Sequence, residues 1–165
     1  EEEVVKETMV VWAKNVGHNI DLENWERMWG LNYKLITSTA YRENQYKMFY
    51  RWHLPPARLA KMFNSDPNRW KCGKEKGTYF HTWWTCQEVK KYWNTIRQWI
   101  EEITNQNQKP NPETFLLGII TQKCSKTDRY IMLHILTAAR ISYTQLWKEK
   151  RIPPEGMVIK KIIDC

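Results

Sequence analysis

The sequence predicts an all-α fold, a small helical domain that carries one irregular loop. Four or five segments of the 165-residue chain place apolar side chains at helical spacing. Sustained alternation of apolar and polar residues is missing, and only a short hairpin around residues 78–81 is expected. The apolar content of 42% and the charged content of 27% are typical of a globular chain with a core. We therefore treat residues 1–165 as one domain.

Residues 1–40 form a predicted helical lead-in. The first helix spans about residues 4–16 and ends at Gly17, and Asp21 has the position of an N-cap for the second helix. The chain begins with glutamates and without methionine, so we expect a fragment of a longer protein without a secretory signal. Apolar runs are shorter than the ~18 residues of a membrane span, and we expect no membrane partner.

Residues 41–104 predict basic and aromatic helices and a metal-binding loop. One helix is expected at 41–52, and Pro55 and Pro56 end it and start a short helix at 56–63. Two cations lie one turn apart on each of these helices, and we expect them to form a track for phosphates. The four residues are Lys47, Arg51, Arg58 and Lys61.

The carboxy-terminal part predicts the most regular helices. An apolar stripe runs through residues 87–103, formed by Val89, Trp93, Ile96, Ile100 and Ile103. A short apolar segment at 113–119 follows, broken by Gly118. In residues 105–165 the long helix from about Ser125 to Lys148 has apolar residues around its circumference. It is therefore the expected central helix, and the rest is expected to be a tail.

The net charge of +8 is concentrated in the middle of the chain. Residues 41–100 contain twelve basic and four acidic residues and 14 of the 22 aromatic rings. Cations neutralise phosphates and rings stack on unpaired bases, so this composition favours binding to RNA or single-stranded DNA. Alternatively, most of the rings belong to the core and the charge belongs to an ordinary solvated face.

Three residues of the basic segment have zinc-knuckle spacing. Eight residues separate Cys72 from His81, and four separate His81 from Cys86. A fourth ligand in a Cys-x-x-Cys arm would stand at position 69, where this chain has Arg69. We interpret the group as a degraded structural zinc site, completed by water, His53 or Cys124.

The alternative is a loop without metal that is held by its tryptophans. Four cysteines without a secretory signal favour a reduced, intracellular setting over disulfides.

A catalytic zinc is disfavoured because the His-x-Glu and Cys-x-x-Cys pairs of deaminases do not occur. The sequence also has no glycine-rich phosphate loop and no nucleophile elbow. We therefore expect no enzymatic activity in this chain.

Five sequence motifs occur together in this chain: YKMFYRWHLPP at 46–56, WKCG at 70–73, GTYFHTWWTC at 77–86, LLG at 116–118, and the run from Ala138-Ala139-Arg140 to Trp147-Lys148. With these motifs, about residues 12–154 resemble the carboxy-terminal segment of long interspersed element (LINE) retrotransposon reverse transcriptases. The resemblance departs from the family pattern at Arg69, where the family has cysteine. It implies a non-catalytic segment that handles template RNA or target DNA during target-primed reverse transcription, because the polymerase and endonuclease domains lie elsewhere in such proteins.

The resemblance further implies that the partners are nucleic acid and the rest of the reverse transcriptase chain. It implies a ribonucleoprotein that occurs in nucleus and cytoplasm. Together with the charge pattern it identifies the expected nucleic-acid-binding residues as Lys47, Arg51, Arg58, Lys61, Arg69, Lys71, Lys74, Lys76 and Trp83. Two alternatives stay open. The chain is a module that docks on a polymerase body or another protein, with Trp12, Trp25 and Trp29 on the docking face, or it is an inactive remnant of a decayed element.

The substitution Arg69→Cys tests the zinc interpretation. Because arginine cannot lose its proton, its replacement by a thiolate should complete four ligands and raise zinc affinity by orders of magnitude. Zinc stoichiometry and affinity are measured in both proteins. Equal, tight one-to-one binding would show that another residue already completes the site, and absence of binding in both would show that the three ligands do not converge.

Overall fold

The computed structural model describes residues 2–53, 55, 58, 71–72, 77–107 and 109–165. These residues form seven α-helices and one π-helical turn, and they contain no strand, which confirms the all-α prediction. The α-helices are α1 (Glu2–Val16), α2 (Leu22–Leu35), α3 (Thr39–Phe49), α4 (Gln87–Thr104), α5 (Pro112–Leu117), α6 (Lys126–Gln145) and α7 (Glu155–Asp164). The π turn is His81–Thr85 and precedes α4 directly.

Most helix ends follow local sequence signals. The Asp21 side chain accepts a hydrogen bond from the Asn24 amide at the start of α2, and Ser125 caps α6 in the same way. Gly17 follows α1 with a φ of 85°, and Gly118 follows α5 with a φ of 70°, as left-handed helix ends require. The cap at Asp21, the stop at Gly17 and a start of α6 near Ser125 were predicted.

Helix α6 is the central helix, as predicted. It packs against α3, α4, α5 and α7, and ten of its residues are buried. Among them is Arg140, whose guanidinium donates hydrogen bonds to Asn44 Oδ1 at 2.9 Å, the Phe115 carbonyl at 2.9 Å and Thr137 Oγ1 at 3.0 Å. This buried cation connects α3, α5 and α6. Burial lowers the pKa of Arg140 to about 10.

Several predicted elements need correction. The expected hairpin at 78–81 is wrong, because residues from Tyr79 onward are helical. Helix α3 ends at Phe49 instead of residue 52, and Arg51 has a φ of 54°, which no α-helix accommodates. Ile103 leaves the predicted stripe of α4 and is 59% exposed. The predicted helix at 56–63 lies outside the described residues except for residue 58.

The expected tail contains a helix. Helix α7 packs on α6, its Val158 is buried, and the His134 ring bonds the carbonyl of Ile162 at 2.7 Å. The carbonyls of the last helical turn have no partner within their own helix, so this contact from α6 satisfies one of them. In the sequence, α7 has only ten residues, too few for a clear apolar period.

Substitution of the buried cation should destabilise the fold. Arg140→Met removes three hydrogen bonds and leaves buried acceptors of α3 and α5 without donors, although it also relieves the cost of a buried charge. We expect a loss of about 2 to 4 kcal/mol in the free energy of unfolding, measured by urea denaturation. The same change at the exposed Arg27 of α2 is the control and should cost below about 0.5 kcal/mol. Equal midpoints for the two variants would refute the structural role of Arg140.

Candidate metal centre and cationic surfaces

Cys72, His81 and Cys86 come together in the structure. One ligand atom of each residue lies within 4.8 Å of the others, and Cys72 Sγ is 3.4 Å from His81 Nε2. Zinc bonds of about 2.3 Å to sulfur and about 2.0 Å to nitrogen, at the tetrahedral angle, place these two atoms about 3.5 Å apart. The spacing of Cys72 and His81 therefore fits zinc, and the group of three could hold a metal ion.

The histidine is oriented by its neighbour one turn ahead. His81 Nδ1 is 3.0 Å from Thr85 Oγ1, so the tautomer with the proton on Nδ1 donates to this hydroxyl. In that tautomer Nε2, the atom that faces Cys72, has the lone pair that a metal needs. Such a second partner is typical of histidine ligands in metal sites.

Cys86 connects the group to α4. It is buried and has the N-cap position of that helix. Burial raises the pKa of the Cys86 thiol, whereas the Val89 and Glu88 amides oppose this effect and the neighbouring Cys72 adds to it. A metal ion would replace the proton on this sulfur, and the positive end of the α4 dipole would favour the thiolate.

The π turn itself is held by hydrogen bonds from two other helices. The Cys86 amide bonds to the His81 carbonyl at 3.0 Å, five residues back. The Trp83 carbonyl accepts from Trp93 Nε1 of α4 at 2.7 Å, and the Thr82 carbonyl accepts from the Tyr143 hydroxyl of α6 at 2.5 Å. These contacts fix the backbone that carries His81 and Cys86.

The expected fourth ligands do not join the group. Within the described residues, the set of metal-ligand side chains that converge consists of Cys72, His81 and Cys86 without His53 or Cys124. The His53 ring instead packs against Trp147 with centroids 5.4 Å apart, and burial, with a smaller effect of Lys47, lowers its pKa to about 4. Arg69 lies outside the described residues.

Lys71 has an internal role, which corrects its expected place on a nucleic-acid surface. It is 7% exposed, and its ammonium donates to the carbonyls of Leu146 at 2.6 Å, Arg151 at 3.0 Å and Glu149. Burial lowers the pKa of Lys71 to about 8. The residue before Cys72 is thus attached to the chain that follows α6, and it is not available to phosphates.

Trp83 and Arg51 need the same correction. Trp83 is 0% exposed and contacts the Tyr143 ring with centroids 4.8 Å apart, so no base can stack on it. The Arg51 guanidinium lies between the Trp12 and Tyr79 rings, at 4.6 and 4.5 Å from their centroids, and also bonds to Asn15. Burial lowers the pKa of Arg51. These side chains connect parts of the core.

The predicted phosphate track is therefore reduced to two described residues. Lys47 pairs with Glu43 at 2.9 Å, one turn earlier on α3, and Arg58 is exposed. Close to Lys47 along the chain, Trp52 is 63% exposed, and its amide bonds to the Lys47 carbonyl at 2.9 Å. The other predicted cations, namely Lys61, Arg69, Lys74 and Lys76, lie outside the described residues.

A groove beside α4 was missed by the sequence interpretation. It has a volume of about 500 Å³ and is lined by Trp84, Lys90, Lys91, Trp93, Asn94 and Pro110. The pairs Trp83-Trp84 and Lys90-Lys91 were visible in the sequence. Which of these side chains line one groove depends on the conformation of the π turn, which the sequence did not predict. Trp12 and Trp25, which were expected on a docking face, are buried, and Trp29 packs against the core.

The chain matches no family model of known proteins. Within its described residues, no helix is both long and apolar enough to cross a membrane.

The ligand group predicts binding of one metal ion per chain. Cys86→Ser should abolish binding, because a serine hydroxyl does not supply the thiolate. Titration with Co²⁺, followed by its thiolate absorption bands, measures stoichiometry and ligand type. The control is Cys124→Ser, which changes a cysteine outside the group and should leave the titration unchanged. Loss of metal binding in Cys124→Ser, or persistence of metal binding in Cys86→Ser, would contradict the assignment.

Proposed function

We propose that this chain is a non-catalytic nucleic-acid-binding domain of a retrotransposon reverse transcriptase, which handles template RNA or target DNA. The observation that carries the proposal is an exposed tryptophan among cations. Trp52 is 63% exposed, and Lys47 and Arg58 precede and follow it in the segment with twelve basic and four acidic residues. Exposed rings beside cations suit single strands, whose bases are unpaired and whose phosphates are charged.

The proposed ion is zinc, in a structural role. Two thiolates and an imidazole are ligands that zinc prefers, and tetrahedral geometry accepts the observed spacing of Cys72 and His81. The ion would restrain the segment between Cys72 and Cys86, which carries two lysines, Lys74 and Lys76. Resemblance of residues 46–86 to the LINE family supports the same assignment.

The ion pair of Lys47 with Glu43 is compatible with a role in phosphate binding. Both side chains are partly exposed, at 34% and 60%, and such a pair contributes only about 0 to 1 kcal/mol. A phosphate can therefore displace Glu43 at small cost. Arg51 has no part in this surface, because its guanidinium is held by two rings and Asn15.

A docking function is the second candidate, and exposed apolar residues of α1 favour it. Val4, Val10 and Val11 are 52%, 54% and 41% exposed. A groove of about 300 Å³ between α1, α2 and α3 is lined by apolar and aromatic side chains, among them Val5, Trp29 and Phe49. A complex with a protein partner, without affinity for nucleic acid, would support this candidate instead.

Salt dependence tests the proposed function. The logarithm of the binding constant for single-stranded RNA should fall linearly with the logarithm of salt concentration, because phosphate contacts release counterions. The double substitution Lys47→Gln and Arg58→Gln should reduce the slope by about 1.4, since each contact with a single strand contributes about 0.7. Fluorescence anisotropy at about 50 to 200 mM salt measures both slopes.

The control is Lys160→Gln, which removes an exposed cation of α7. It should leave the slope unchanged. An affinity that does not vary with salt, or equal slopes for the double variant and the unmodified chain, would argue against this surface as a phosphate contact.

A further inference from the structure

The groove beside α4 combines an aromatic wall with two cations. Trp84 is partly buried: its ring contacts Phe115 with centroids 5.8 Å apart and Trp93 with centroids 6.4 Å apart, and it also lines the groove. Trp93 is almost completely buried, and its indole N–H bonds to the Trp83 carbonyl. The wall is thus backed by the core, and the ring of Trp84 cannot turn away freely.

The cations are on the first turns of α4. Lys90 and Lys91 are exposed and both line the groove. Lys91 Nζ is 3.4 Å from Glu88 Oε1, and these side chains are 75% and 46% exposed, so the pair is weak. Within the described part of the chain, no acidic residue lines this groove. Its charge is therefore suited to an anion.

We infer that this groove binds one unpaired nucleotide of a single strand, with its base on Trp84 and its phosphates at Lys90 and Lys91. The inference rests on the proposed function and adds a second contact site to it. A volume of about 500 Å³ accommodates a nucleotide, since small-molecule pockets have about 300 to 1,000 Å³. Asn94 supplies an amide N–H donor for the edge of a base, while its Oδ1 accepts from Arg97 Nε at 3.1 Å.

An unpaired base fits better than the alternatives. A duplex presents phosphates but hides the faces of its bases, so it would leave Trp84 without a partner. An acidic peptide would use the lysines, but its carboxylates would not use the aromatic wall. A nucleotide with a free base combines a flat π face with a nearby phosphate, which matches the aromatic wall and the two cations of the groove.

The test compares two strands of about 12 nucleotides, a length suited to one domain. One is oligoadenylate and the other is an abasic phosphodiester. Trp84→Leu should weaken oligoadenylate binding by about 5- to 150-fold, the usual effect of one stacked base, and should change abasic binding less than about twofold. Lys90→Gln with Lys91→Gln should weaken both strands. Trp99→Leu, a partly buried tryptophan elsewhere on α4, is the matched control.

Trp84 also packs on the core, so each variant is checked by circular dichroism and thermal melting. If Trp84→Leu does not fold, Trp84→Phe retains a ring, and the exposed Lys90 and Lys91 variants carry the test. Unchanged oligoadenylate affinity in the Trp84 and lysine variants, while the unmodified chain binds, overturns this groove and leaves the proposed function standing. Oligoglutamate competing as well as oligoadenylate overturns it too. Absence of salt-dependent binding by the unmodified chain overturns both.

Discussion

The position of the candidate metal ligands depends on the hydrogen bonds that join the π turn to α4 and α6. In this turn the Thr82 and Trp83 carbonyls point to Tyr143 of α6 and Trp93 of α4, at 2.5 and 2.7 Å. A buried carbonyl without a donor costs about 1 to 3 kcal/mol, so the turn is stable only where these donors are present. The positions of His81, at the start of the turn, and of Cys86, directly after it, are therefore set by the aromatic core.

The first candidate ligand, Cys72, is also attached to α6, through the residue before it. Lys71 precedes Cys72 and donates to three carbonyls at and after the end of α6, so both arms of the group are attached to one helix and its continuation. In isolated zinc fingers the metal supplies most of the folding free energy, because nothing else orders the loop. Here the core orders the described ligands. This explains how three candidate ligands come together in a chain that has Arg69 where the LINE pattern has cysteine.

Interactions between residues that are close in sequence could be predicted, whereas interactions between residues that are far apart in sequence could not. Caps such as Asp21 and Ser125 depend on residues three positions away. The Asp21 cap and a helix start near Ser125 were predicted. The pair of Lys47 with Glu43 has helical spacing and could have been predicted as well. By contrast, Lys71 is held by residues 75 to 80 positions later, and Arg51 by Trp12 and Tyr79. The charges of Lys71 and Arg51 suggested positions on a nucleic-acid-binding surface. Only their tertiary contacts show that both side chains bind groups inside the protein.

Most of the described aromatic rings pack in or against the core, so few rings remain accessible for stacking with unpaired bases. Of the candidate rings, Trp83 and Trp93 are buried, whereas Trp52 and Trp84 keep exposed area. Trp84 lies between the candidate ligands His81 and Cys86 in sequence, so an ion at the metal group would add a further restraint to a backbone that the core already holds and that carries the proposed stacking wall. Under the proposed function, ion binding and base binding are then coupled. Linkage requires the coupling to be reciprocal: whatever factor the ion adds to affinity for a single strand, the strand adds to affinity for the ion.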